Sequence, residues 1–274
     1  MTTEGRGLPV AEGISAARYA QRLERSRRAV AENGASALLV GVGAELEWLT
    51  GYAAHGGERL NLLVIPADAD PVYISPRLEA PAALAAPGLA DGRVRIEAWE
   101  ETDDPYLLVP PVVAPAAPVR LLVSDGLRAA FLLGLQVVLP GAAWGVASSV
   151  LAPLRRVKDA EEIALLRAAA HAADRAMERV VNGPLVGRTE AQVARDVRDA
   201  LLEEGHDTAE FAIVASGPNS TSPHHEPSDR AIGPGEPLLF DIGGRRAGYC
   251  SDITRTVWID DEEGRGPEPG FRAT

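Results

Sequence analysis

Two aspartates stand inside apolar, strand-like stretches of the sequence. Asp241 is surrounded by Leu238, Leu239, Phe240 and Ile242, and Asp252 by Ile253, Val257 and Ile259. Gly243, Gly244 and Gly248 flank the connection, which predicts a hairpin with its turn near residues 245–247. Pairing about that centre sets Asp241 roughly opposite Asp252, and directly opposed residues share a face with Cβ atoms about 4.5–5.5 Å apart. Two carboxylates so placed repel, and burying them unpaired costs on the order of several kcal/mol. A divalent cation between them offsets that cost, and oxygen ligands suit Mn²⁺, Mg²⁺ or Zn²⁺. The same residues also allow a plainer arrangement, with the register off by one and each aspartate paired to Arg245, Arg246 or Arg255 at a solvent edge.

His224 and His225 lie in a segment bounded by Gly217, Pro223 and Pro227, which places them on a loop ahead of the hairpin. One of them can reach over the carboxylate pair as an imidazole that orients substrate or moves a proton near neutral pH. The alternative is two solvated loop histidines. His171 is expected to pack along a long helix, and His55 and His206 carry no spacing signal. Other chemistries find no support. Gly41-Val42-Gly43 follows a strand-like run, but Leu46 stands where the third glycine of a dinucleotide fingerprint belongs. No G-x-S-x-G is present, and His225-Glu226 runs into Pro227 with no second histidine after it.

These groups need elements to hold them. The chain has 274 residues, 46% hydrophobic and 24% charged, enough for two cored domains. Up to about residue 155, strand-like runs at 37–40, 62–65, 72–74, 94–98 and 120–123 alternate with helix-like pieces, including one marked by Tyr19, Leu23 and Val30 and others at 78–86 and 127–135. That alternation predicts a mixed, mostly covered sheet, with the proline-rich stretch 107–119 as a surface connection. Beyond it, Asp159 and Glu162 have capping-box spacing, followed by Ile163, Leu166, Ala170, Ala173, Met177 and Val180 at helical intervals up to Asn182-Gly183-Pro184. Thr189 and Gln192 open a second helix in the same way, and strands follow at 211–214, 238–242 and 249–259.

Charge and cysteine content narrow the partners. Lys and Arg number 27 against 39 Asp and Glu, a net charge of −12, which argues against nucleic acid and against an anionic membrane surface. The single cysteine, Cys250, excludes an intrachain disulfide and a cysteine-based metal site. The N-terminus has no secretory pattern, so a cytoplasmic location is expected.

Taken together, Gly217-Pro218-Asn219 with His224, Asp241-Ile242-Gly243, and the run from Gly248-Tyr249 through Ser251-Asp252 to Thr254-Arg255-Thr256 resemble three motifs of one family. It is the pita-bread metallopeptidase family of Xaa-Pro aminopeptidases, prolidases and, without the metal, creatinase. Its G-x-N-x-x-x-x-H, D-x-G and G-Y-x-S-D-x-T-R-T segments are matched in order. Trp48-Leu49-Thr50-Gly51-Tyr52 is similar to the family's Y-L-T-G-F element, and the stretch from Leu154-Arg155 to Glu162-Ile163 to its hinge into the catalytic domain. The resemblance implies an α/β creatinase-like N-terminal domain with a mixed sheet (1–155), followed by the first half of an α+β pita-bread domain (156–274).

By the same resemblance, Asp241 chelates one of two divalent metal ions and Asp252 bridges both, with Mn²⁺ first in expectation and Co²⁺ or Zn²⁺ next. His224 hydrogen-bonds the substrate or the tetrahedral intermediate as a metal-bound hydroxide attacks the Xaa-Pro bond of a small peptide. A homodimer is the expected assembly. The family takes a further His and two Glu from the second half of the domain, and no segment here fits their motifs. Glu262 and Glu263 are acidic tail residues, and the stretch 267–274 resembles the point where the family's next helix begins. The chain therefore reads as cut short within its catalytic domain, a poor enzyme by itself. The alternatives are a non-catalytic remnant serving as a dimerisation or binding module and a creatinase-like C–N hydrolase.

Overall fold

A computed structural model describes residues 13–113, 119–261 and 263–267. They form two compact units, Ile14–Lys158 and the residues from Asp159 onward.

In the first unit, helix α1 (Ala16–Glu32) leads to β1 (Ala37–Val40), α2 (Ala44–Thr50), β2 (Leu62–Pro66), β3 (Val72–Pro76), α3 (Ala80–Leu84) and β4 (Arg95–Trp99). A single 3₁₀ turn, Pro105–Leu108, then precedes β5 (Arg120–Val123), α4 (Ala129–Val138), β6 (Ala143–Val146) and α5 (Ser148–Arg156). The six strands make one mixed sheet in the order β4-β3-β2-β1-β5-β6. β2 is antiparallel to both β1 and β3, and the other neighbours are parallel. β1, β2 and β3 are buried along their whole length because both faces of the sheet are covered. Leu38, Val40, Leu63 and Tyr73 pack with Leu23, Leu46 and Leu151 of the helices on one face. Leu39, Val64, Leu121 and Val123 meet Phe131 and Leu135 of α4 on the other.

The stretch read as a surface connection contributes to this second cluster, with Val109 and Val113 buried in it. Its prolines break helices, but its valines still remove apolar area from water. Residues 114–118 of the same stretch lie outside the described residues.

The second unit opens with α6 (Ala160–Val181) and α7 (Glu190–Glu203). β7 (Thr208–Ser216), β8 (Glu236–Arg246), β9 (Tyr249–Cys250) and β10 (Ile253–Ile259) follow. Both helices begin at complete capping boxes, Asp159 with Glu162 and Thr189 with Gln192. The antiparallel sheet runs β10-β8-β7 with β9 also on β8. Its Val214, Leu238, Phe240 and Ile242 pack with Met177, Val180, Val193, Val197 and Leu201 of the helices. The buried stripe of α6 is Leu165, Ala169, Ala172, Ala173, Ala176 and Met177. Ile163, Ala170 and His171 are exposed, so the expected stripe is rotated in the first half of the helix and His171 does not pack. Alanines let α6 approach closely but give the sequence little apolar contrast from which to read a face.

The hairpin departs from expectation in register. Arg246 pairs with Tyr249 and Arg245 with Cys250, and the two residues between, Ala247 and Gly248, both have positive φ, 47° and 82°. That is the signature of a two-residue type I′ turn, whose twist matches that of the strands it joins. The turn centre lies one residue beyond the expected one, which shifts the pairing by two: Asp241 faces Thr254, not Asp252. Position 247 suits asparagine, which enters the left-handed region more readily than alanine. Ala247→Asn is therefore expected to raise the urea midpoint at constant m, by about 0.5–1 kcal/mol of stability.

Candidate active site

Along β8, Phe240 and Ile242 point to the helices and are buried, and Asp241 lies on the opposite face, half-buried. The Thr254 hydroxyl donates to Asp241 Oδ1 at 2.9 Å, a bond across the directly paired position. Asp252 is exposed, in the two-residue break between β9 and β10. The ladder keeps its register through that break, because Ser251 N–H donates to the Gly244 carbonyl at 2.9 Å and Ile253 pairs with Ile242. Asp252 thus stands across from Gly243 and two residues from Thr254, a diagonal neighbour of Asp241 on the same face. A register shift of two preserves the face, whereas a shift of one would have separated the carboxylates.

Gly243 makes room for this arrangement. A β-carbon there would collide with the Ser251 carbonyl oxygen and the Phe211 ring. Gly243→Ala is expected to cost about 1–3 kcal/mol of stability in a urea titration, and to displace the Ser251–Asp252 backbone.

Hydrogen bonds to Ser251 and Tyr249 hold the arm of the hairpin that carries Asp252. Buried His206 places Nδ1 3.1 Å from the Leu201 carbonyl and Nε2 2.8 Å from Ser251 Oγ. A carbonyl only accepts, so Nδ1 carries the proton and Ser251 donates to Nε2. Burial lowers the His206 pKa below its ordinary 6.5, in keeping with this neutral tautomer. Gly244 N–H also donates to Ser251 Oγ, at 3.2 Å. The Tyr249 hydroxyl donates to Glu162 Oε1 at 3.1 Å, tying the hairpin to the capping box of α6. His206 carried no signal in the sequence because its partner is 45 residues away.

The two loop histidines separate. The His225 Nε2 atom donates to Glu190 Oε2 at 2.7 Å, whereas His224 is exposed. Glu190 is the first residue of α7 and its side chain is fully buried. It also accepts from Ser216 N–H (2.7 Å) and Oγ (2.8 Å), from Asn219 Nδ2 (3.0 Å), and from Ser228 N–H (3.1 Å) and Oγ (2.7 Å). Burial pushes this carboxyl up, but the bonds from Ser228, Ser216, His225 and Asn219 together outweigh it and hold the pKa down at about 2. Arg230 stands beside it, paired with Glu236 at 2.6 Å and donating to Ser216 Oγ at 2.6 Å.

As metal donors, Asp241 and Asp252 are hard carboxylate oxygens on one face, a pair that suits a divalent cation. They amount to part of a coordination shell: among the described residues no group of three or more His, Cys, Asp or Glu is arranged to hold a metal ion. Glu262 and residues 268–274 lie outside the described residues, and Glu263 is exposed. No helix among the described residues is long and apolar enough to cross a membrane.

Comparison with known proteins gives this geometry a lineage. Residues 22–157 match the creatinase/prolidase N-terminal domain, and residues 164–266 match metallopeptidase family M24. A probable dipeptidase, PepE, of Mycobacterium tuberculosis is 42% identical over 246 residues, which are 89% of this chain and 65% of that protein. The chain therefore spans about two-thirds of the length of this curated relative. The crystal structure of dipeptidase PepE from Mycobacterium ulcerans superposes with a TM-score of 0.85 at 39% identity, over 94% of this chain and 68% of that one. A prolidase from Thermococcus sibiricus gives 0.79 at 30% identity, over 90% and 67%. The chain belongs to metallopeptidase family M24, with a creatinase/prolidase N-terminal domain ahead of its M24 portion.

Proposed function

We propose that the complete protein is a metal-dependent exopeptidase that cleaves dipeptides or the N-terminal Xaa-Pro bond of small peptides. The observation that carries this reading is the hairpin, which sets Asp241 and Asp252 as diagonal neighbours on one face of the M24 sheet. The names of its relatives, dipeptidase and prolidase, support the substrate class. Divalent cations, Mn²⁺ first among them, supply when bound a Lewis acid for the peptide carbonyl and a nucleophile at neutral pH. Asp241 and Asp252 are two of their ligands. Thr254 fixes the Asp241 carboxylate through Oδ1 and leaves the other oxygen for a cation. His224, exposed and not engaged by Glu190, donates a hydrogen bond to the substrate as it reacts.

The test uses the protein as made by its native cells: its intact mass, its bound metal, and hydrolysis of Xaa-Pro and other dipeptides before and after chelation. A mass well above 28.9 kDa, with cleavage lost on chelation and regained with Mn²⁺ or Co²⁺, is the expected result. A protein of 28.9 kDa that binds no metal and cleaves none of the dipeptides would replace this reading with a non-catalytic binding module.

A further inference from the structure

Glu190 has the densest set of hydrogen bonds around any carboxylate described above, and the assignment of Asp241, Asp252 and His224 makes no use of it. Its partners Ser216, Asn219, His225 and Ser228 are spread along the connection from the end of β7 to the residues before β8. They are 26 to 38 residues from Glu190 in sequence, so one buried side chain gathers the whole loop around the start of α7. The backbone adds to the clamp: Glu190 N–H donates to the Arg230 carbonyl at 3.0 Å and Ala191 N–H to the Ser228 carbonyl at 3.0 Å. These amides belong to the first turn of α7, where N–H groups lack helical acceptors and a negative side chain is favoured.

The chemistry of the contacts is asymmetric. A carboxylate only accepts hydrogen bonds, and all its partners here are donors: two hydroxyls, two backbone N–H groups, an amide NH₂ and an imidazole N–H. A glutamine has one acceptor oxygen and sets an NH₂ against several of the same donors. The imidazole of His225 is committed by this contact, and its neighbour His224 is carried on a segment whose two ends are both fixed to Glu190.

We propose that Glu190 is a positioning residue: it clamps the 216–228 loop and, by taking up His225, leaves His224 as the histidine that faces substrate. The inference rests on the peptidase reading of His224, but its first test does not.

That test is amide hydrogen exchange on the full chain, comparing wild type with Glu190→Gln. Exchange in residues 217–228 is expected to rise about tenfold or more beyond the change in α7 after its first turn and in the β7–β8 ladder, which follow global stability. The imidazole N–H resonance of His225 is expected to disappear in the same variant. His225→Gln, whose amide can still donate to Glu190, is expected to restore loop protection that His225→Ala loses.

In the protein from native cells, Glu190→Gln is expected to lower kcat for dipeptide cleavage about tenfold or more at unchanged metal content. Loop exchange within twofold of wild type, or a rise spread equally through α7 and β7, would overturn the clamp. So would a loosened loop in an enzyme whose turnover is unchanged. If the wild-type protein cleaves no dipeptide, the peptidase reading fails and loop exchange still decides whether Glu190 orders this segment.

Discussion

Asp252→Asn is expected to lower kcat/KM for dipeptide cleavage by at least about a hundredfold in the metal-loaded protein, because substitutions in the shell behind a ligand already cost about 10–100-fold. Asparagine has nearly the same volume, and Asp252 is exposed in the break between β9 and β10, so the hairpin has no packing reason to unfold. What changes is charge: a neutral amide is a weaker ligand for a divalent cation than a carboxylate. Bound metal should therefore fall together with activity, while the thermal transition stays near its wild-type position. Asp241→Asn is expected to act in the same direction but also to disturb the bond from Thr254, so its stability should be followed alongside. Full activity in Asp252→Asn would remove the hairpin aspartates from the assignment.

The second large effect is on stability in acid. Glu190 is fully buried, and its pKa falls from an ordinary 4.5 to about 2 on folding. A carboxyl shifted downward stabilises the fold fully above its unfolded value and loses that contribution as pH falls through the folded one. The window is therefore from about pH 4.5 to about pH 2, and the contribution lost across it is roughly 3 kcal/mol. The charged groups beside the carboxylate are Arg230 and Glu236, and the His225 imidazole donates to it. Because other carboxylates titrate in the same range, the measurement is the difference between wild type and Glu190→Gln in urea midpoint at each pH. The two curves should converge as the pH approaches 2. Parallel curves would mean that the Glu190 charge contributes nothing to the fold.

Features carried by local chemistry were legible in the sequence. Both capping boxes close within three residues, and the anticipated strands that became β1, β2 and β3 are short apolar runs buried along their whole length. β6 was not legible: Ala143–Val146 is a four-residue, half-exposed edge strand that contains Gly145, too short and too open to stand out. The order of the sheet, with β1 between β2 and β5, depends on pairings between segments far apart in the chain. In the hairpin, three glycines made several turn centres admissible, and the true one includes an alanine in a conformation alanine disfavours. The Glu190 network was hidden for the same reason as the His206–Ser251 contact, since a glutamate in the first turn of a helix is what any capped helix offers. Only the fold brings its partners to it.

The Ala247–Gly248 turn also bears on the order of events during folding. Asp241 and Asp252 are joined by one short hairpin, and closing it requires no segment from elsewhere in the chain. Local hairpins form in about 1–10 μs, far faster than the assembly of sheets from distant strands. The two carboxylates are thus set to meet early, before β7 or the helices have docked, and their mutual repulsion opposes the hairpin at that stage. A divalent cation present during folding would relieve it, so refolding in Mn²⁺ should speed hairpin formation in wild type and leave Asp252→Asn unaffected.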